Sequence, residues 1–118
     1  MSAVNERIER SLVEICGEDR VRTDRRERKM YSFDIGAMPA LVKPMVPAGL
    51  AGAVVRPVSE EQLVELVKLA QREGMSLVPR GWATSGYGGV LPRNGAAVVD
   101  LSGWQRVLAV DPQALTAT

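Results

Sequence analysis

Val78-Pro79-Arg80-Gly81-Trp82-Ala83-Thr84-Ser85-Gly86-Tyr87-Gly88-Gly89-Val90-Leu91-Pro92 is the stretch on which the fold turns. It carries glycine at four positions, adjacent hydroxyls at Thr84 and Ser85, and a proline near each end, so it forms neither a helix nor a flat strand. Glycine leaves no Cβ in the way, which lets a backbone turn tightly and present its N–H groups outward. Successive N–H groups facing one concavity make a nest that attracts anions, phosphates above all. On the residues alone two readings stay open, a surface connector and a cradle for cofactor phosphates. Neither standard nucleotide motif is present: there is no Gly-Lys-Ser/Thr, and Gly-x-Gly-x-x-Gly is missing.

The loop is framed by a well-signalled unit. Ala53-Val54-Val55-Arg56-Pro57 is a short β-branched run ended by proline, as a buried strand would be. Ser59 then opens a helix, with Gln62 completing a capping box and Val58 placed to staple onto Leu63. Leu63, Leu66, Val67 and Ala70 form its expected buried stripe, Lys68 and Arg72 suit its C-terminal end, and Gly74 stops it. Met75-Ser76-Leu77-Val78-Pro79 returns as a second strand. Strand, helix of about fifteen residues and strand make a βαβ crossover with parallel strands. The loop therefore leaves the carboxyl end of a parallel strand, the edge where open α/β sheets bind ligands.

Downstream, Ala96-Ala97-Val98-Val99-Asp100-Leu101 reads as a third strand. Val107–Val110 and Leu115–Thr118 read as a hairpin around Asp111-Pro112-Gln113-Ala114, with proline at the favoured second turn position. A chain ending inside a strand reads as the front of a longer protein. Upstream, Asn5 to Cys16 is an amphipathic helix with Ile8, Leu12 and Ile15 on one stripe, Ser2 or Asn5 as cap and Gly17 at its end. Packing on its own domain is the expectation for it, ahead of binding a partner. Glu18 to Arg28 reads as a solvated connection, and the Arg25–Lys29 cluster as a solvated face. Met30 to Leu50, interrupted by Pro39, Pro44 and Pro47, reads as an irregular segment across the surface with one helical turn near Met38–Lys43. Asp34 is assigned a cap or turn role. Residues 1–50 are thus a helix and lead-in, and 51–118 the main unit.

Composition narrows the function. The 118 residues are 46% apolar and 25% charged with a formal net charge of +1, which gives no basic excess for nucleic acid. Aromatic residues are 4%, too few for stacking platforms. Cys16 is the one cysteine and histidine is absent, so an intrachain disulfide, a cysteine metal site and any Ser-His or Cys-His pair are ruled out within these residues. No signal-like core or apolar run of roughly 20 residues occurs, so the cytoplasm is the expected compartment.

Three blocks together carry a family resemblance. Arg80-Gly81-x-x-Thr84-Ser85-x-x-Gly88-Gly89 after Pro79, Val55-Arg56-Pro57-x-Ser59 upstream and Val98-Val99-Asp100-Leu101-Ser102 downstream resemble the FAD-binding domain of the vanillyl-alcohol oxidase and p-cresol methylhydroxylase (PCMH) superfamily. The branch most similar is that of FAD-linked 2-hydroxyacid dehydrogenases, of the glycolate oxidase and D-lactate dehydrogenase type. The resemblance runs from about Tyr31 to the end. It implies an α+β fold: the βαβ-containing N-terminal subdomain of a PCMH-type FAD-binding domain, with the start of a following antiparallel hairpin.

The resemblance further implies that Pro79, Arg80, Gly81, Trp82, Ala83, Thr84, Ser85, Gly88 and Gly89 bind the FAD pyrophosphate, mainly through backbone N–H groups, with Thr84 and Ser85 adding hydroxyls. Trp82 is expected to point away or lie against the adenine side. Some members attach FAD through a histidine at the position of Thr84. With threonine there, FAD is expected to be non-covalent in this segment. In the family, flavin takes a hydride equivalent from the α-carbon of a 2-hydroxy acid while a base takes the hydroxyl proton. The groups for that step are expected beyond Thr118, so no catalytic residue and no metal ligand is assigned here. Implied partners are a small hydroxy-acid substrate and, for electron exit, a quinone, a cytochrome, oxygen or an iron–sulfur domain or subunit, an electron-transfer partner that could hold the protein near a membrane. An exposed sheet edge also leaves room for a homo-oligomer. The competing readings are a non-catalytic incomplete domain and an unrelated phosphate- or nucleotide-binding module.

Overall fold

The computed structural model describes residues 4–36, 39–45, 49–93 and 95–118. Helix α1 spans Glu6–Cys16 and is capped by Asn5, whose side chain accepts from the Ile8 N–H; Ser2, the other expected cap, lies outside the described residues. Strand β1 (Val21–Arg22) and helix α2 (Arg25–Met30) follow. Strand β2 (Ala53–Val55), helix α3 (Glu60–Glu73), strand β3 (Leu77–Arg80) and strand β4 (Ala97–Asp100) form the central unit, and β5 (Val110–Asp111) pairs with β6 (Thr116–Ala117) in a separate hairpin.

Helix α3 is closed at both ends as its sequence predicts. Ser59 accepts from the Gln62 N–H while Gln62 reaches back to the Val58 N–H at 2.8 Å, and Gly74 takes the left-handed conformation at φ 62°. Its buried face differs from the expected stripe. Leu66, Leu69 and Ala70 are buried and Leu63 packs against them, whereas Val67 is 53% exposed. The stripe is rotated toward Leu69 because α3 also packs on α1, where Arg7 pairs with Glu73.

The four-stranded sheet has the order β1-β2-β4-β3. β2, β4 and β3 are parallel, as the βαβ reading requires, but β4 lies between the two strands that α3 connects. Central β4 is buried at every position, in keeping with its continuous apolar run. Ala53, Val55, Ala97 and Val99 share one core with Leu12 and Cys16 of α1 and Leu66 and Leu69 of α3. Alternation turns Val54, Val98 and Asp100 to the other face, where Val54 and Val98 are also fully buried.

The charged run Glu18–Arg28 is a correction: it is not a solvated connection. Val21 and Arg22 pair antiparallel with Val55 and Val54, closing the outer side of β2. Arg28 is 5% exposed and donates to the Ala51 carbonyl at 2.6 Å, so the Arg25–Lys29 cluster is not a uniformly solvated face. Backbone pairing needs no apolar pattern, and a long guanidinium stem buries readily when its head finds a carbonyl. Farther on, the short helical turn falls at Lys43–Met45; Met38, where it was expected to begin, lies outside the described residues. The hairpin forms as predicted, with its turn one residue later at 112–115, and the Asp111 carboxylate accepts from the Gln113 and Ala114 N–H groups.

Candidate cofactor site

The glycine-rich loop leaves β3 at Arg80, the carboxyl end of a parallel strand. Among the described residues, none of the backbone N–H groups from Gly81 to Tyr87 donates to another residue. Gly81, Trp82, Thr84, Ser85, Gly86 and Tyr87 are exposed, and a Cβ built on Gly81 or Gly89 meets nothing within 4 Å. Free donors and open space at a strand's carboxyl end suit an anionic phosphodiester. Ala83 is buried and sits at φ 54°, and Gly88 at φ 81°. At φ 54° Ala83 holds the left-handed conformation that glycine adopts without a Cβ penalty.

The lead-in segment grips this loop at several points. Arg80 donates to the Phe33 carbonyl at 2.6 Å, and its guanidinium lies 5.2 Å from the Tyr31 ring centre. Arg80 is thus engaged with the lead-in, which favours backbone groups over its side chain as the anion donors. Gly36 and Gly86 are in backbone contact. Asp34 makes the turn expected of it, accepting from the Gly36 N–H at 2.9 Å, and also accepts from the Gly88 N–H at 2.8 Å. That second bond joins residues 54 positions apart and had no sequence signal. Pro79 is exposed on edge strand β3, where its missing N–H costs no ladder bond. Trp82 is 71% exposed.

Beside the loop, the ends of β2 and β4 carry a polar cluster that sequence reasoning missed. The Tyr31 hydroxyl donates to Asp100 at 2.6 Å and accepts from Arg56 at 3.1 Å, while Arg56 also pairs with Glu27 and, at 3.3 Å, with Asp100. Burial pushes the Asp100 carboxyl up, but hydrogen bonds from Ser102 and Tyr31 and the Arg56 charge outweigh it and hold the group below its ordinary range. Burial, and the bond to Asp100, raise the Tyr31 hydroxyl. Arg56 is held charged more firmly than an ordinary arginine: burial opposes its charge, and the Tyr31 and Glu27 bonds overcome that. The cluster borders a cavity of about 370 Å³ that Trp104 also lines. The Trp104 indole N–H donates to the Pro57 carbonyl at 2.8 Å. Arg56 and Asp100 stand in two of the blocks that carry the family resemblance, but nothing in the sequence joins them to Tyr31 or Glu27.

Sheet order, loop placement and free donors define a class. The chain belongs to the FAD binding domain family, whose profile matches residues 51–118, and its cofactor is FAD. Among curated proteins it is similar to glycolate oxidase subunit GlcD of Bacillus subtilis (strain 168), with 24% identity over 111 residues, 94% of this chain and 22% of that protein. Among solved structures it is similar to alkyldihydroxyacetonephosphate synthase, with TM-score 0.77 and 22% identity over 98% of this chain and 24% of the other. It is also similar to p-cresol methylhydroxylase, with TM-score 0.71 and 19% identity over 91% of this chain and 20% of the other. The expected α+β, PCMH-type fold therefore holds. The chain spans 22% of the curated relative's length. No helix among the described residues is long and apolar enough to cross a membrane.

Proposed function

We propose that residues 51–118 are the first part of the FAD-binding domain of a flavin-dependent oxidoreductase that, as a complete protein, oxidises a 2-hydroxy acid such as glycolate or D-lactate. The observation that carries the cofactor site is the run of N–H groups from Gly81 to Tyr87, exposed but for Ala83 and without partners among the described residues, at the carboxyl end of β3. These groups, with the exposed Thr84 and Ser85 hydroxyls, hold the pyrophosphate. Pro79 and Arg80 set the loop's exit, and Gly89 leaves room for close approach. Bound FAD supplies two-electron redox chemistry. The protein's own part in these residues is to bind and orient; the Tyr31–Arg56–Asp100 cluster stiffens the strand ends beside the loop. The substrate class rests on the similarity to the glycolate oxidase relative, and an iron–sulfur partner is the proposed route for electrons.

FAD uptake by the purified protein, read from flavin absorption and fluorescence quenching, tests the site. Uptake is expected without a covalent link, so acid or heat releases all the flavin. Protein that stays colourless with added FAD would sink the reading. Dye reduction by the complete protein with glycolate and D-lactate tests the substrate class.

A further inference from the structure

Asp34 lies outside the family-matched residues 51–118, yet its carboxylate reaches into the loop those residues define. One oxygen takes the Gly36 N–H at 2.9 Å and the other takes the Gly88 N–H at 2.8 Å. Its neighbours hold the loop as well: the Phe33 carbonyl accepts from Arg80 where the loop begins, and Gly36 meets Gly86 near its middle. One short segment, Tyr31–Gly36, therefore touches the start, middle and end of the loop. Among the described residues, Gly88 alone of the N–H groups of Gly81–Gly89 is occupied, and what occupies it is a carboxylate.

Resting on the FAD reading above, we propose that Asp34 is a positioning residue that closes the far edge of the cradle. By holding Gly88 in the frame it confines the pyrophosphate to the donors from Gly81 to Tyr87. A phosphate at the Gly88 N–H would have to displace a carboxylate or sit against one, and like charges at such distances repel. Gly88 thereby passes from the set of phosphate donors to the scaffold. The same bond fixes the turn from which Leu91 donates back to the Gly88 carbonyl at 3.1 Å. Asp34 acts through Gly88 and contacts no reacting atom.

The test compares the wild-type chain with Asp34→Asn and Asp34→Ala. Asparagine keeps one acceptor oxygen but turns an amide toward one of the two N–H groups; alanine removes both acceptors. FAD affinity by fluorescence titration is expected to fall in order, by about tenfold for alanine and less for asparagine, as loss of charge-assisted hydrogen bonds implies. Hydrogen exchange is expected to rise in residues 84–91 and stay unchanged in β4, which a general loss of stability would not produce. In amide spectra of the wild type, FAD is expected to shift signals of Gly81–Tyr87 and leave Gly88 nearly still. Equal or tighter FAD binding by Asp34→Ala, or a Gly88 shift as large as the others, overturns the proposal. If the wild type takes up no FAD, the functional reading fails by itself. The exchange comparison still decides the anchor then, since unchanged loop exchange in Asp34→Ala removes it.

Discussion

Gly36 and Gly86 meet backbone to backbone: a Cβ added at Gly36 would lie 2.4 Å from the Gly86 carbonyl oxygen. No side chain can yield to relieve that contact, so the lead-in or the loop must move. Gly36→Ala is expected to destabilise by about 1–3 kcal/mol, the range for overpacking, and to weaken FAD binding. Gly89→Ala faces open space and should stay within about 0.5 kcal/mol of wild type. Gly88→Val, at φ 81°, should cost more than Gly89→Val. Urea denaturation with parallel FAD titration separates the three, and equal effects at Gly36 and Gly89 would refute the contact.

Tyr31→Phe removes the hydroxyl that donates to Asp100, leaving that buried oxygen to Arg56. A loss of about 1–2 kcal/mol is expected. Because the folded Asp100 carboxyl titrates below its ordinary range, the unfolded chain takes up the proton first on acidification. The stabilisation is thus full above the ordinary carboxylate range and is lost as pH falls through the folded value. Stability measured from neutral to acid pH should fall less steeply in Asp100→Asn than in wild type.

At the other end of the scale, burial pushes the Cys16 thiol up to about 11 from an ordinary value of 9.0. The folded chain keeps the thiol protonated where the unfolded chain ionises it. This stabilisation is full below pH 9.0 and declines as pH rises from there toward about 11. Cys16→Ala should lack that component of the alkaline decline, although losing the buried sulfur lowers its stability at neutral pH. A thiol reagent should label native Cys16 only as fast as the chain opens.

Leu66 is fully buried and Val67 is 53% exposed on the next position of the same helix. Leu66→Ala should cost about 2–5 kcal/mol, and Val67→Ala should change stability by no more than about 0.5 kcal/mol, since alanine also suits a helix better. Thermal or urea melts of the two variants check the observed rotation of α3. A large loss at Val67 would restore the stripe expected from sequence.

What the sequence disclosed follows the reach of its interactions. The caps of α3, the stop at Gly74 and the β-branched strands are local, written within a few residues, and were legible. The phase of α3 was less so, because Leu69 and Val67 are both apolar and only the position of α1 chooses between them. β1 and α2 were hidden because their pairing is by backbone and by a buried guanidinium, neither of which leaves an apolar rhythm. In the cofactor site, glycine and hydroxyl content marked the loop. The bonds that hold it, from Asp34 and Phe33, cross from a different part of the chain and carry no pattern.

The position of β4 between β2 and β3 also has a consequence in time. During synthesis β2, α3 and β3 emerge before the strand that separates β2 from β3. Until Ala97–Asp100 arrives, β3 has no neighbour in this sheet among the described residues. The stretch proposed to cradle the cofactor is therefore also the tether whose closure lets the last central strand enter. Lengthening or loosening it should slow folding before it alters the finished sheet, because the entropy of closing that tether is met when β4 inserts.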